Sequence, residues 1–269
     1  MKIFQKTIVV TGAGSGIGKA LSLALLQGGA RVAAVDIQEA GLASLQSAAA
    51  KAADRLSLHQ LDISNRNAAE ALPAAVVAAH GQVDGLINNA GIIQPFVKVH
   101  ELDYAVIEKV MNVNFYGTLY LTKAFLPFLL KRPEAHIVNI SSMGGFLPVP
   151  GQSIYGSAKA AVKLFTEGLH AELAGSQVRV TIVFPGAIAT NITTNSGVEV
   201  PKMASANKTK SFKALPAQKA AALILAGMEK NAFRVLVGSD ARFMDLIYRL
   251  HPRRAAAFIS KKMADLLAV

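Results

Sequence analysis

The sequence predicts an α/β fold, a parallel sheet of about seven strands covered by helices on both faces. Three observations point to it. Short apolar runs alternate with segments of helical length along all 269 residues. The runs are almost continuously apolar, as strands covered on both faces must be. A glycine-rich turn, TGAGSGIGKA (11–20), follows the first run and opens the first helical segment.

Strands are expected at 7–11 (TIVVT), 31–36 (RVAAVD), 56–61 (LSLHQL), 85–88 (GLIN), 135–141 (AHIVNIS), 178–184 (VRVTIVF) and 234–238 (RVLVG). Helices are expected between them at 17–28, 39–52, 64–80, 101–130, 155–174 and 217–230. This alternation is that of a parallel α/β sheet. No internal repeat or linker divides the chain, so 1–269 reads as one domain. The rhythm breaks at about 190–215, a polar stretch of the kind that forms a lid or binding loop. A helical extension is expected over about 240–269, its last helix starting at Pro252. There Phe258, Ile259, Met263, Leu266 and Leu267 form an apolar stripe beside Arg253, Arg254, Lys261 and Lys262. Such a helix packs on its own domain, lies on a membrane, meets a partner subunit or closes a substrate pocket.

Composition removes several classes. The chain is 52% hydrophobic and 17% charged, with mean hydropathy +0.37, which argues against disorder. It has no cysteine, so disulfides and thiolate metal sites are excluded. The six histidines show no metal-ligand spacing, and no metal is expected. MKIFQKTIVV is too short and too soon charged for a signal peptide. No uncharged apolar run reaches the ~18 residues of a membrane span. A cytoplasmic protein is expected. Residues 1–201 carry 15 Lys and Arg against 13 Asp and Glu, whereas 202–269 carry 13 against 4. That basic end suits a solvated face or peripheral contact with an anionic membrane. No nucleic-acid-binding motif accompanies it.

The glycine turn admits three readings: an ATP phosphate loop, a dinucleotide loop, or a plain strand-to-helix turn. A P-loop fails twice, because Ala13 stands where its first glycine belongs and Ala20 where its hydroxyl belongs. The G-x-G-x-x-G fingerprint also fails, since Ile17 occupies its last position. What stands is Gly12, Gly16 and Gly18, which still permit a tight turn and close approach to an anion at a helix N-terminus. Asp36 ends the second expected strand, where a carboxylate reads a ribose 2′-hydroxyl and repels a 2′-phosphate. Loop, strand and carboxylate together favour a dinucleotide, NAD rather than NADP.

Further along, Tyr155 and Lys159 are four apart at an expected helix start, so they share a face. A phenol of pKa near 10 is a poor base at neutral pH, and an ammonium one turn away is expected to lower it. Ser142 ends a buried strand thirteen residues earlier, from which its hydroxyl can reach the ligand crevice. Alone, Tyr-x-x-x-Lys is equally an ordinary helix pair.

From about Thr7 to Val237 the chain resembles the short-chain dehydrogenase/reductase family. The carrying residues are Thr11-Gly12, Gly16 and Gly18, Asp62, Asn88-Asn89-Ala90-Gly91, Asn114, Ser142, Tyr155 and Lys159, and Pro185-Gly186, in the family's order. The resemblance implies a Rossmann-type doubly wound fold and hydride transfer between nicotinamide and a carbonyl carbon. Tyr155 would be the general acid/base, Lys159 its pKa modulator and a ribose contact, Ser142 the substrate-oxygen partner, and Asn114 the holder of a relay water. Cofactor contacts are expected from Gly12, Ser15, Gly16, Ile17, Gly18, Asp36, Ile37, Asp62, Ile63, Asn89, Ala90, Gly91, Tyr155, Lys159, Pro185, Gly186, Ile188 and Thr190. Ser15 and Ile37 stand where NADP-using members often carry a basic residue, which again favours NAD. The substrate expected is a hydrophobic alcohol or ketone, in a pocket of Ile93, Phe96, Met143, Phe146, Leu147, Val149 and Phe212. The alternatives are an NADP(H)-dependent ketone reductase and a non-catalytic dinucleotide-binding regulator. A homo-oligomer is expected, although the extension departs from the many members that end soon after the last strand.

Overall fold

The computed structural model describes residues 1–198 and 214–263. Seven strands form the main sheet: β1 (Thr7–Thr11), β2 (Arg31–Asp36), β3 (Leu56–Gln60), β4 (Gly85–Asn88), β5 (Ala135–Ile140), β6 (Val178–Pro185) and, later in the chain, β9 (Arg234–Val237). A two-residue pair, β7 (Ile188–Ala189) and β8 (Leu215–Pro216), stands apart. The main sheet has the order β3-β2-β1-β4-β5-β6-β9 and every pairing is parallel. The Rossmann-type fold expected from the sequence is therefore present.

Alternation within the strands divides the core in two. On one face Ile8, Val10, Val32 and Ala34 pack with Leu21 and Leu25 of α1 (Gly16–Gln27), Leu42 and Leu45 of α2 (Glu39–Ala48), and Ile224 and Met228 of α8 (Ala217–Glu229). On the other, Val9, Val35, Leu86 and Ile137 meet Leu72 and Val76 of α3 (Arg66–His80), Phe125 and Leu129 of α5 (Gly117–Leu129), and Leu169 of α6 (Ser153–Glu172). Local signals set the helix ends. In α3 the Asn65 side chain accepts from Ala68 N–H at 3.1 Å, and Gly81 ends the helix at φ +79°.

Three expectations change. The helix expected over 101–130 is α4 (Tyr104–Met111) and α5, joined by a wider π turn at Asn112–Tyr116. No proline interrupts the stretch at the turn, so the sequence hides it. The helix expected over 39–52 stops at Ala48 and tightens into a turn at Ala50–Arg55. The extension is a helical hairpin, α9 (Ser239–Leu250) and α10 (Pro252–Lys262). In it Ile259 is buried while Phe258 is exposed, so the two do not form one stripe. Only the start of the expected lid is described, as α7 (Ile192–Asn195) and the turn after it. Lys202, Lys208, Lys210, Phe212 and Lys213 lie outside the described residues, as do Leu266 and Leu267.

Candidate active site

Between β1 and its neighbours β2 and β4 the chain reverses its winding, which opens a crevice beyond the strands' C-terminal ends. The glycine turn fills that place. Gly12 and Gly16 take φ +64° and +50°, the left-handed region that side chains avoid. A methyl on Gly18 would land on the Gly12 carbonyl, so only glycine lets α1 sit directly against the loop. The first-turn N–H groups of α1 have no partner within the helix and face an anion site. Thr11 ties this loop to β4: its hydroxyl accepts from the N–H groups of Asn89 and Ala90, each at 3.0 Å. Asn89 Nδ2 returns a bond to the Thr11 carbonyl at 2.9 Å.

Asp36 closes the other side. Its Oδ2 accepts from Gly14 N–H at 2.8 Å and its Oδ1 from Gln38 N–H at 2.9 Å. The carboxylate is thereby fixed, with lone pairs left for a further donor. With Ile37, Asp62, Ile63 and Lys109 it lines a cavity of about 310 Å³. Asp62 is held by Ser64, whose N–H and hydroxyl donate to its Oδ1.

A second cavity, of about 220 Å³, is lined by Gly16, Ile17, Ser142, Tyr155, Lys159, Pro185, Gly186, Ile188 and Thr190. Gly12, Ser15, Ala90, Gly91 and Asn195 line both cavities. Two cavities meeting at a helix N-terminus, with a carboxylate at the far end of one, fit a two-part ligand with an anionic middle. The residues present therefore fit a nicotinamide dinucleotide. Gly18 stands behind the loop as a packing position and lines neither cavity.

The candidate chemical groups gather in the second cavity. Ser142 follows β5, and its Oγ accepts from Gly144 N–H at 3.1 Å. The Ser142 side chain stands beside the Tyr155 phenol, both lining this cavity, and it favours the ionised phenol. Lys159 is buried one turn along α6, and its ammonium donates to the Ile140 carbonyl at 3.0 Å. Asn114 lies fully buried in the π turn. Its Nδ2 donates to the carbonyls of Ile92 (2.9 Å) and Val110 (3.0 Å), and its Oδ1 accepts from Ile92 N–H (3.1 Å). A methyl on Gly91 would stand 2.6 Å from Asn114 Oδ1 and 3.1 Å from Lys159 Nζ, so that glycine marks where the two side chains converge.

Electrostatics here correct the sequence reading. Burial raises the Tyr155 phenol above its usual value of 10.0, and the neighbouring Ser142 side chain only partly offsets it. Burial brings Lys159 itself down from 10.5 to about 8.

Several residues at the site carry no sequence signal. Gln94 is fully buried; its Oε1 accepts from the N–H groups of Ile154 (2.8 Å) and Tyr155 (3.0 Å), and its Nε2 donates to Gly151 O (3.0 Å). Gln152 answers with a 2.7 Å bond from its Nε2 to the Gln94 carbonyl. Asn195 donates to Ser15 Oγ at 2.9 Å and Ser196 Oγ accepts from Ile93 N–H at 3.0 Å, which folds α7 over the glycine turn. Asp240 takes the N–H of Ala187 at 2.6 Å and fixes the turn after Pro185-Gly186.

The expected substrate pocket is only partly assembled. Ile93 lines the cavity beside Tyr155, but Phe96, Met143, Phe146, Leu147 and Val149 do not. Met143, Phe146 and Leu147 turn instead against Met244, Ala255 and Ile259 of the C-terminal hairpin. Val149 joins Phe146 and Leu147 along a separate groove that includes Tyr248. The described residues hold no group of three potential metal ligands.

The sequence model of the short chain dehydrogenases matches residues 6–200. The chain belongs to the short-chain dehydrogenase/reductase family and is an NAD(P)-dependent oxidoreductase of it. SadH of Mycobacterium tuberculosis, named as an oxidoreductase, is 38% identical over 266 residues, covering 95% of this chain and 96% of its own. A family member from Burkholderia phymatum, solved with NAD, superposes with a TM-score of 0.81 at 27% identity, over 93% of this chain and 96% of that one. A short chain dehydrogenase from Burkholderia cenocepacia, solved with NADP, gives 0.80 at 28% identity, over 96% and 99%.

Proposed function

We propose that this enzyme uses NAD(H) to interconvert a hydrophobic secondary alcohol and its ketone, with Ser142, Tyr155, Lys159 and Asn114 as its active site. The observation that carries this reading is the meeting of the Ser142 hydroxyl and Tyr155 phenol in a cavity that also reaches the glycine turn. When bound, the nicotinamide gives or takes the hydride. The chain's own work is to orient the substrate and move one proton.

In this account Ser142 donates to the substrate oxygen and Tyr155 delivers or removes its proton. Lys159 contacts the ribose and replenishes the proton, with Asn114 holding the neighbouring loop. Gly12, Ser15, Gly16 and Ile17 would surround the pyrophosphate; Asp36, Ile37, Asp62 and Ile63 the adenosine side; Asn89, Ala90 and Gly91 the sugars between. Pro185, Gly186, Ile188 and Thr190 would border the nicotinamide. The fixed Asp36 carboxylate supports NAD, because a 2′-phosphate there would meet like charge. Ile93, Ile188 and Ile192 give the cavity beside Tyr155 an apolar wall, which supports an apolar substrate.

The raised phenol sets a direction. Below its pKa Tyr155 holds its proton and can donate it, so ketone reduction runs at neutral pH and alcohol oxidation accelerates as pH rises. Tyr155→Phe is expected to lower kcat at least about a hundredfold, the usual scale of acid–base catalysis, with NADH affinity nearly unchanged. Initial rates and NADH fluorescence titration of the same preparation test this. A variant keeping most of its rate would remove Tyr155 from the chemistry.

A further inference from the structure

We propose that the α9–α10 hairpin docks the protein on an anionic membrane surface. Along α9 the residues Phe243, Leu246 and Leu250 share one outward arc and are 49%, 59% and 65% exposed. On α10, Phe258 is 43% exposed. The inward arc of α9 is separate, with Ala241 and Met244 buried. These large apolar side chains stand well exposed, whereas the opposite faces of the same helices are packed.

Charge selects the occupant. Arg242, Arg249, Arg253, Arg254 and Lys261 are exposed on the two helices. The hairpin's two acidic residues point the other way: Asp240 takes the Ala187 N–H, and Asp245 pairs with Arg234 and, at 3.2 Å, with Arg249. Among the described residues the outward face therefore combines apolar anchors with positive charge and no carboxylate, the chemistry of a helix at an anionic lipid surface. A second copy meeting this face across a two-fold axis would set arginine against arginine.

The hairpin's inner face gives the docking a use. Met244, Ala255 and Ile259 pack on Leu147, Met143 and Phe146, the loop that follows Ser142. A membrane on the outer face would thus lie about one helix diameter, roughly 10–12 Å, from the loop bordering the site. An apolar substrate dissolved in that membrane would have a short path to Tyr155. This use rests on the hydrophobic-substrate reading; the docking itself does not.

Vesicle cosedimentation of the full chain, without substrate, tests the docking. Vesicles of phosphatidylcholine with phosphatidylglycerol are expected to bind the protein at least about tenfold more tightly than phosphatidylcholine alone, and salt should weaken the binding. Leu246→Glu should abolish it, and Arg242→Glu with Arg253→Glu should reduce it severalfold, while NADH binding stays intact. Absence of binding at low salt, indifference to lipid charge, or full binding by Leu246→Glu would overturn the proposal. Light scattering in which wild type is an oligomer that Leu246→Glu dissociates would overturn it too, assigning the face to a second copy.

Discussion

Gln94 joins two loops about sixty positions apart in the chain, and it does so through backbone groups that carry Tyr155. Its amide oxygen stands in for the cap that the first turn of α6 lacks, since the N-cap Gln152 gives no side-chain bond there. Removing that oxygen leaves two N–H groups unpaired, at about 1–3 kcal/mol each when buried. Gln94→Leu should therefore lose about 2–5 kcal/mol of stability in urea and lower kcat more than it raises the KM for NADH. Gln94→Glu, which keeps the acceptor, should recover part of both. Equal stability of Gln94→Leu and wild type would show that the amides find other partners. Nothing in a lone glutamine two residues past Ile92 announces this, because its meaning lies in contacts across the fold.

At the scale of elements, α6 carries an energetic conflict. It places Tyr155 and Lys159 a turn apart, both with their charged forms disfavoured by burial. Unfolded Lys159 keeps its proton to about pH 10.5 and the folded one only to about 8, so between those values the unfolded chain binds more protons. Stability contributed by this residue therefore rises with pH across that window. At pH 7 the penalty is about 3 kcal/mol from the pKa difference, less about 1 kcal/mol for the bond to Ile140. Lys159→Met should be about 2 kcal/mol more stable than wild type at pH 7 and nearly inactive, the advantage shrinking toward pH 9.5. Thermal denaturation across that range checks it, and a less stable variant at pH 7 would contradict the conflict. The spacing of this pair was legible in the sequence because helical neighbours are fixed by periodicity. The strands were legible for the same kind of reason, each being a continuous apolar run between turn residues. The direction of the Tyr155 shift was not, since it depends on how deeply the helix start is buried. The split of α4 from α5 was equally hidden, as was the partner of Met143, Phe146 and Leu147: apolar pattern says that a side chain is covered, not by what.

Over the whole molecule, the sheet order brings the ends of β1, β2, β4, β5 and β6 to one edge, and Gly12, Gly16, Asp36, Ser142, Tyr155 and Lys159 line the cavities there. The glycine turn and Asp36 are separated by a strand and a helix in the chain, yet they meet through the Gly14–Asp36 bond. The two structural relatives were solved with different nicotinamide dinucleotides, so Asp36 carries the weight of the choice between them. The most direct measurement is a paired titration of the purified protein with NADH and NADPH, followed by nicotinamide fluorescence, on wild type and Asp36→Ala. The account predicts NADH binding at least about tenfold tighter in wild type, a preference worth about 1.4 kcal/mol, and its loss in Asp36→Ala through weaker NADH and relatively stronger NADPH binding. Tighter NADPH binding by wild type, or a preference that Asp36→Ala leaves unchanged, would contradict it.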